Sequence, residues 1–303
     1  MGHVAKKNIS YSISDSCKLK FIIELKEAID MNCSFKNLFF IIFCLSSFVS
    51  HTHTGTHEIK AVFWSDPDIF DRDRWAILKN FGFFSSLFNA GRTSEIEDTF
   101  LGTLIEKFGA QTQIYKANDP KTNKPLPNIM REWLTGQKTS DAVRKAALET
   151  FKKDSFIQKI VKMLFTPAEF LHVTYLIDDA FKLIKKMKPG VMQVLASNYD
   201  PGSYHELKKS AVGTKVLPYF KGHVYVSGML LSKFPEGIIL QDPAFFNYVI
   251  NQLNLKPEEC LVINSDPAVI HAAKSLGMKT LAHNHGDHST IKKQLKELNL
   301  LVK

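Results

Sequence analysis

The chain has 303 residues, of which 45% are hydrophobic and 23% are charged, a composition typical of globular proteins. Its net charge of +9 is carried by lysines scattered along amphipathic segments, without an arginine-rich or aromatic-interleaved basic run. This distribution indicates a solvated surface and argues against a nucleic-acid partner. The cysteines form neither a disulfide framework nor a CxxC metal knuckle, since they stand far apart at Cys17, Cys33, Cys44 and Cys260.

The first 57 residues differ from the rest of the chain. Residues 38–49, LFFIIFCLSSFV, form an apolar run that is too short to span a bilayer comfortably but matches the core of a signal peptide. Because mixed charges precede Met31, that methionine is an alternative natural start to Met1. We expect export or membrane anchoring through residues 38–49, with no other membrane contact. The alternative is a cytoplasmic protein in which this run is a buried or membrane-dipping helix.

Residues 58–70, EIKAVFWSDPDIF, organise the remainder of the chain. The apolar run 59–64 predicts a strand that is buried on both faces of a parallel sheet. Such sheets place their sites just beyond the carboxyl ends of the strands, so Ser65, Asp66 and Asp68 are candidate site residues. The alternative is that these polar residues only turn the chain and cap the next helix.

The middle of the chain predicts helices and the last third predicts strands alternating with helices. Apolar residues recur at three- and four-residue spacing over residues 75–188, interrupted by a loop at 118–128. From residue 190 onward, alternating strands and helices indicate a parallel, doubly wound sheet. The strand at 59–64 must belong to this sheet, because the helical insert offers it no partner. We expect it to pair with residues 191–197 and 260–264.

In this order of elements the chain resembles the haloacid dehalogenase (HAD) superfamily, in its branch with a helical cap after the first motif. The passages that carry the resemblance are ASNYDPGSYHELKK and LKPEECLVINSDPAVIHAAKSLGMKT. It implies an α/β, Rossmann-like core, a doubly wound parallel sheet with an inserted helical cap. The expected divisions are a signal or anchor with a tether at 1–57, a discontinuous core at 58–74 and 186–303, and a cap at 75–185.

The resemblance also implies a chemistry. An Asp at the end of the first strand attacks phosphorus, and a second Asp two residues later acts as acid and base. A Ser or Thr and a Lys hold the phosphoryl oxygens, and a carboxylate pair at the fourth motif binds Mg²⁺. The implied ligand is a small phosphorylated molecule or another anion.

The catalytic positions of that pattern are altered in this sequence. Gap-free spacing places Ser65 at the nucleophile and Pro67 at the acid, with Asn264 and Ser265 at the metal-binding pair. A Ser without an adjacent base is a poor nucleophile, and Pro has no side-chain proton to exchange. A shift of one residue makes Asp66 and Asp68 the catalytic pair. The metal-binding candidates are then Asp66, Asp68 and Asp266.

The second and third motifs supply the remaining candidates. Ser197, at a predicted strand end, matches the second motif and is a candidate for substrate binding together with Asn198. At the third motif Leu240 replaces the family lysine, and Lys233 is a shifted candidate. The histidines that follow the last predicted strand are interpreted as a surface loop, with a metal or phosphate border as the alternative; they are His283, His285 and His288.

Three functions remain open from the sequence. We expect a degenerate HAD-like protein with little or no phosphatase activity and a retained ligand pocket, without a cofactor. The second function is an active phosphatase that requires Mg²⁺ and uses Asp66 and Asp68 on a small phosphorylated metabolite. The third is an exported protein that uses the fold only as a structural body.

Overall fold

The computed structural model describes residues 58–72, 93–110, 125–284 and 286–302. Its centre is a parallel sheet with the strand order β5–β4–β1–β6–β7. These five strands are β1 (Ala61–Ser65), β4 (Met192–Ser197), β5 (Val224–Val226), β6 (Cys260–Asn264) and β7 (Lys279–Ala282). The first strand lies in the middle and pairs with β4 on one side and β6 on the other, which confirms the predicted pairing.

The helices that the structure describes fall into two groups, those before β4 and those that alternate with the sheet strands. The first group is α1 (Asp66–Ile69), α2 (Thr93–Phe108), α3 (Asn128–Leu134), α4 (Ser140–Thr150), α5 (Ser155–Leu164), α6 (Pro167–His172) and α7 (Asp178–Lys185). The second group is α8 (Pro201–Lys209), α9 (Ala211–Val216), α10 (Pro243–Gln252), α11 (Pro267–Ser275) and α12 (His288–Glu297). Helix α8 begins at Pro201, in keeping with the preference of proline for the first helical position.

Strand β1 is buried on both faces, as its unbroken apolar run predicts. Val62 and Trp64 belong to one hydrophobic cluster, and Ala61 and Phe63 belong to another. Successive side chains of a strand point to opposite faces of its sheet, so these clusters are the two layers of the core. A fully buried side chain of this size contributes about 1.5–3 kcal/mol to folding. The sheet core therefore holds Ser65, the last residue of β1, in a fixed position.

The helices of the insert have a hydrophobic core of their own. Helices α2 to α5 contribute to one cluster, in which Trp133 packs edge-on against Phe165 with ring centroids 4.8 Å apart. The side chain of Arg131 crosses from α3 to the segment before α10, donating to the Gly237 carbonyl at 3.0 Å and to Asp242 Oδ2 at 3.1 Å. The insert is thus a separately packed layer, held against the sheet end by a half-buried ion pair.

One short strand, at 174–176, differs from the helical prediction for residues 75–188. Strand β2 (Phe70–Arg72) pairs antiparallel with β3 (Thr174–Leu176). In this two-stranded ribbon, β2 precedes helices α2 to α6 in the chain and β3 follows them. A three-residue strand has no readable periodicity, although Thr and Tyr favour strands. After the ribbon, α7 packs Phe181 and Ile184 into the same cluster as β1. The predicted cap boundary at residue 185 stays a prediction.

In the part of the chain that the structure describes, no helix is both long enough and apolar enough to cross a membrane. The apolar run at 38–49 lies outside the described residues, so its predicted role as a signal or anchor stays a prediction.

Candidate functional site

A cavity of about 230 Å³ lies where the carboxyl ends of β1, β4 and β6 face the helical insert. The insert provides an apolar wall with Trp133, Leu134 and Leu164. The opposite wall is polar, and its residues follow directly from the strand ends. They are Ser65, Asp66, Ser197, Asn198, Asp200, Ser203, Gln241, Asn264 and Asp266. The sheet edge at which the sequence predicted a site is therefore the floor of this cavity.

Ser65 is engaged from both sides. Its hydroxyl donates to the Asp68 carboxylate and accepts a hydrogen bond from Asn264 Nδ2 at 2.8 Å. Only 2% of the residue is exposed. Because a carboxylate is a stronger base than a hydroxyl, Asp68 orients the Ser65 proton, and the Asn264 amide donates to one of the two lone pairs of the serine oxygen. The hydroxyl is held as part of the floor.

Asp68 forms a buried ion pair. Its Oδ1 lies 2.8 Å from His283 Nε2, and both side chains are fully shielded from solvent. His283 Nδ1 lies 2.8 Å from the Asn284 carbonyl oxygen. Since a carbonyl and a carboxylate only accept, this geometry favours the imidazolium, in which both ring nitrogens donate. Burial lowers the pKa of His283, but the hydrogen bond and charge of Asp68 outweigh it and the pKa lies above its ordinary 6.5.

The neighbouring histidine also contacts Asp68. His288 Nε2 lies 3.0 Å from the Asp68 backbone carbonyl oxygen, and Nδ1 lies 3.1 Å from that of Gly286. The sequence interpretation of the histidine segment as a surface loop is therefore wrong for these two side chains, because His283 and His288 secure the turn after β1. His285 lies outside the described residues.

Asp66 lines the cavity, and its carboxylate accepts a hydrogen bond from the Tyr199 hydroxyl. Tyr199 is 5% exposed and follows β4, so this contact joins the turn after β1 to the turn after β4. This contact orients the half-buried Asp66 carboxylate toward the tyrosine hydroxyl.

A chain of side-chain hydrogen bonds spans the other side of the floor. Asn198 Nδ2 donates to Gln241 Oε1 at 3.0 Å, and Gln241 Nε2 donates to Asp266 Oδ2 at 2.8 Å. Asp266 also caps α11, because its Oδ1 accepts from the Ala268 N–H at 2.8 Å. Gln241 was missed in the sequence, although it stands directly beside Leu240. The neutral amide of Gln241 occupies this part of the site.

Asp200 is a second residue that the sequence did not single out. It is 2% exposed and caps α8, accepting at Oδ1 from the N–H groups of Gly202 and Ser203 at 2.9 and 3.3 Å. The same oxygen accepts from Ser140 Oγ at 3.0 Å, and Ser140 accepts from Trp133 Nε1 at 3.1 Å. An Asp directly before a Pro-led helix is a capping signal in sequence, but its contact with the insert is not.

The predicted candidates separate into two groups. The structure brings together Ser65, Asp66, Ser197, Asn198, Asn264 and Asp266 around the cavity. Asp68 lies behind Ser65 and does not line it, and Lys233 is exposed on the turn before α10 and does not line it either. The side chain of Pro67 lies outside the described residues. The predicted catalytic, substrate-binding and metal-binding roles of these residues stay predictions.

The donor set does not fit a Mg²⁺ site as it stands. Among the described residues, no group of three or more His, Cys, Asp or Glu side chains is arranged to hold a metal ion. Asp68 is paired with His283, and Asp266 is engaged with Gln241 and the α11 cap. Mg²⁺ demands octahedral oxygen ligands at short distances, whereas these other contacts orient the carboxylates of Asp68 and Asp266.

The chemistry of the described wall is acidic and hydrogen-bonding. Three carboxylates line the cavity, from Asp66, Asp200 and Asp266, whereas none of the described lining residues is Lys, Arg or His. Oxyanion stabilisation requires donors or cations aimed at the developing charge. Among the described lining residues, such donors are the hydroxyl and amide side chains, which include Ser197 and Asn198.

No protein-family model matches the chain, and no curated protein sequence matches it. The fold does have counterparts among solved structures. A HAD-family enzyme from Bacteroides thetaiotaomicron is 16% identical over 76% of this chain and 96% of its own, with a TM-score of 0.51. The likeness supports the predicted α/β fold: this chain has a HAD-like fold.

Two further structures align less closely. A predicted HAD-like family hydrolase from Porphyromonas gingivalis is 18% identical over 78% of this chain and 98% of its own, with a TM-score of 0.49. The L-2-haloacid dehalogenase of Xanthobacter autotrophicus is 15% identical over 80% and 85%, with a TM-score of 0.44. The Bacteroides enzyme has also been crystallised with magnesium and inorganic phosphate.

Proposed function

We propose that this chain is a ligand-binding protein with a HAD-like hydrolase fold and little or no phosphatase activity. The observation that carries the proposal is the state of Ser65, which stands at the end of the central strand where the fold's nucleophile is expected. Its hydroxyl is hydrogen-bonded to Asn264 and to Asp68, and Asp68 also forms the buried ion pair with His283. A nucleophile in this fold needs a free carboxylate that faces the substrate.

The charges of the cavity support the same proposal. A phosphate ester brings negative charge that a phosphatase must offset with a metal ion or with cationic side chains. The described wall instead carries three carboxylates, and the described residues provide no cluster for a metal. In the proposed function Ser197 and the backbone amides at the strand ends contact the ligand, and no covalent intermediate forms.

A Mg²⁺-dependent phosphatase assay of the full-length chain tests the proposal, with p-nitrophenyl phosphate as the substrate. We expect turnover at background level. Ser65→Asp should not restore activity, because Pro67, Asn264 and Ser265 would still occupy the acid and metal-ligand positions. Losing a catalytic group that acts with its partners costs several orders of magnitude in rate. Asp66→Asn, purified in parallel, reports contaminating phosphatases. Ordinary enzymatic turnover that disappears in Asp66→Asn would contradict the proposal.

The second candidate function is the active phosphatase with Mg²⁺ and a shifted first motif. The observation in its favour is that Asp66, Asp266 and Ser197 line one cavity. In this alternative Asp66 attacks phosphorus, and Asp68 would have to leave His283 to act as the acid. The Asp66→Asn comparison above separates the two functions directly.

We also propose that residues 38–49 serve as an export signal or membrane anchor. An apolar run of this kind would leave a sticky patch on the surface of a folded protein unless it is removed or inserted. Mass spectrometry of the protein from its native source should find an N-terminus after about residue 47, or the run in the membrane fraction. An intact chain that begins at Met1 and fractionates with the cytoplasm would contradict this.

A further inference from the structure

We propose that the cavity between the insert and the sheet binds a small organic cation, with the Asp200 carboxylate as its ionic anchor. This inference rests on the proposed binding function and names the class of its ligand. It is carried by two buried polar atoms without partners, by the aromatic walls around them and by the sign of charge on the described wall.

The first observation is an unpaired carboxylate oxygen. Asp200 is 2% exposed, and its Oδ1 collects three hydrogen bonds, whereas its Oδ2 is buried and has none. An ionised carboxylate removed from water is unfavourable unless a countercharge or hydrogen-bond donors replace the lost hydration. The two neutral N–H groups and the Ser140 hydroxyl serve only one of its oxygens. The other oxygen therefore requires a donor that the described residues do not provide.

The second observation is the adjacent hydroxyl of Ser203. This residue is 1% exposed, its backbone N–H reaches Asp200 Oδ1 at 3.3 Å, and its Oγ has no partner. Both residues lie in the wall of the same cavity. An ammonium group has three donors and no acceptor, so a single one can satisfy a carboxylate oxygen and a hydroxyl oxygen together. A phosphate or carboxylate ligand could use only the hydroxyl.

The apolar part of the wall fits the body of such a ligand. Trp133, Phe170 and Tyr199 line the cavity, and aromatic faces attract cations through their negative quadrupole. Trp133 is fixed in place because its indole N–H donates to Ser140, which donates to Asp200. The anchor and the aromatic wall are thus joined by hydrogen bonds, and the wall is formed before a ligand arrives.

The size of the cavity limits the ligand to a small molecule. Its volume of about 230 Å³ lies below the range of roughly 300–1,000 Å³ that is usual for drug-sized ligands. A single water molecule could bond to the same two atoms, but it would not neutralise the carboxylate. A compact amine with one ring satisfies the volume, the charge and the aromatic wall together.

The experiment compares three probes that share one ring and differ in charge: benzylamine, benzyl alcohol and benzyl phosphate. Binding to the full-length chain is measured by calorimetry and by saturation-transfer NMR near pH 7. We expect benzylamine to bind with a Kd of about 1 mM or lower, the alcohol at least tenfold more weakly, and the phosphate weakest. If the amine binds no more tightly than the alcohol, or if the phosphate binds tightest, the proposal is overturned.

Two variants of cavity residues and one control variant test where the amine binds. Asp200→Asn keeps the shape and the capping oxygen but removes the charge, so it should weaken benzylamine binding at least tenfold. Asp154→Asn is the matched control, because Asp154 caps α5 in the same way and does not line the cavity. Ser203→Ala should weaken the amine by a smaller factor, and it provides a second reading if Asp200→Asn fails to fold. Equal amine affinity in all three variants and in the parent chain would overturn the proposal.

Turnover and affinity are separate readouts, so the two proposals fail in different ways. Release of phosphate from benzyl phosphate at an enzymatic rate would contradict the binding-protein proposal. Absence of turnover together with no preference for the amine would contradict the organic cation alone.

Discussion

Asp68 and Asp200 occupy equivalent places in the fold, since each follows a neighbouring strand of the central sheet by three residues, and each is almost fully buried. Their surroundings differ. Asp68 has a partner on each carboxylate oxygen, and one of these partners is the His283 imidazolium. Asp200 has partners on one oxygen only. Burial alone therefore does not define the role of a carboxylate; its role depends on how many partners its two oxygens have.

The region around Asp68 is therefore closed, whereas the region around Asp200 faces a cavity. The His283 contact ties the turn after β1 to the segment after β7, at opposite ends of a sequence separation of 215 residues. The Asp200 contact with Ser140 ties the sheet to the insert beside an aromatic wall. We expect the first region to determine stability and the second to determine binding.

The largest change in the free energy of unfolding should come from breaking the ion pair between Asp68 and His283. Asp68→Asn leaves the buried His283 imidazolium without its countercharge and should lower the free energy of unfolding by about 3–5 kcal/mol. Urea denaturation measures it. Asp179→Asn, which breaks the exposed pair with Lys182, is the control and should have no measurable effect. A loss as small as that of the control would mean that the ion pair is not structural.

The next effect concerns the backbone beneath Asp200. A Cβ on Gly228 would lie 2.7 Å from the Tyr199 carbonyl oxygen and 2.9 Å from Asp200 Cα. Gly228→Ala should therefore displace this segment and lower the free energy of unfolding by about 1–3 kcal/mol. Benzylamine binding should weaken as well. Ser232→Ala, on an exposed turn, is the control. Unchanged stability and binding in Gly228→Ala would show that the segment tolerates movement.

The substitution at Asp200 itself should act in the opposite direction from that at Asp68. In the ligand-free protein, Asp200→Asn removes a buried charge that lacks a countercharge and should raise the free energy of unfolding by about 1 kcal/mol. Asp154→Asn changes a matched helix cap and should not raise it. Thermal and urea unfolding, without ligand, give both values. If Asp200→Asn destabilises the protein as Asp68→Asn does, the contrast between the two regions is wrong.

The smallest effect is a dependence of the free energy of unfolding on pH. The pKa of His283 in the folded chain is raised above 6.5, so its stabilising contribution is complete below pH 6.5 and is lost as the pH rises through the folded pKa. Asp287 stays ionised throughout, because hydrogen bonds from Thr290 and Ser289 lower its pKa to about 2. Urea unfolding between pH 6 and 9 should show this decline in the parent chain, and His283→Gln should remove it. Parallel profiles would contradict the imidazolium.

Much of the fold could be predicted from local patterns. The apolar run 59–64 predicted a doubly buried strand, and β1 has its two neighbours as expected. Gly277, which follows α11, adopts a left-handed φ of 86°, a conformation that favours glycine after a helix. The ribbon of β2 and β3 was missed because three residues carry no period. The burial of residues in a strand follows from the hydrophobic pattern of consecutive positions, so it can be predicted from the sequence.

The site was predicted less completely. The strand-end residues Ser65, Ser197 and Asn264 do meet at one cavity, because parallel strands end at the same edge of the sheet. The partners of those residues were not foreseen. Gln241 reaches Asp266 across 25 positions, and Ser140 reaches Asp200 across 60. A hydrogen bond needs two atoms within about 3 Å, and sequence spacing does not determine distances between separate elements.

From the amino-acid sequence alone, we predicted the alternation of strands and helices after residue 190, the burial of β1 and the polar character of the strand ends. Hydrophobic periodicity and capping residues are local, and they act before distant segments meet. The histidine partner of Asp68 and the Asp200 carboxylate oxygen without a hydrogen bond were known only from the tertiary structure. The free energy of a buried carboxylate depends on every polar atom around it, and those atoms come from segments that only folding brings together.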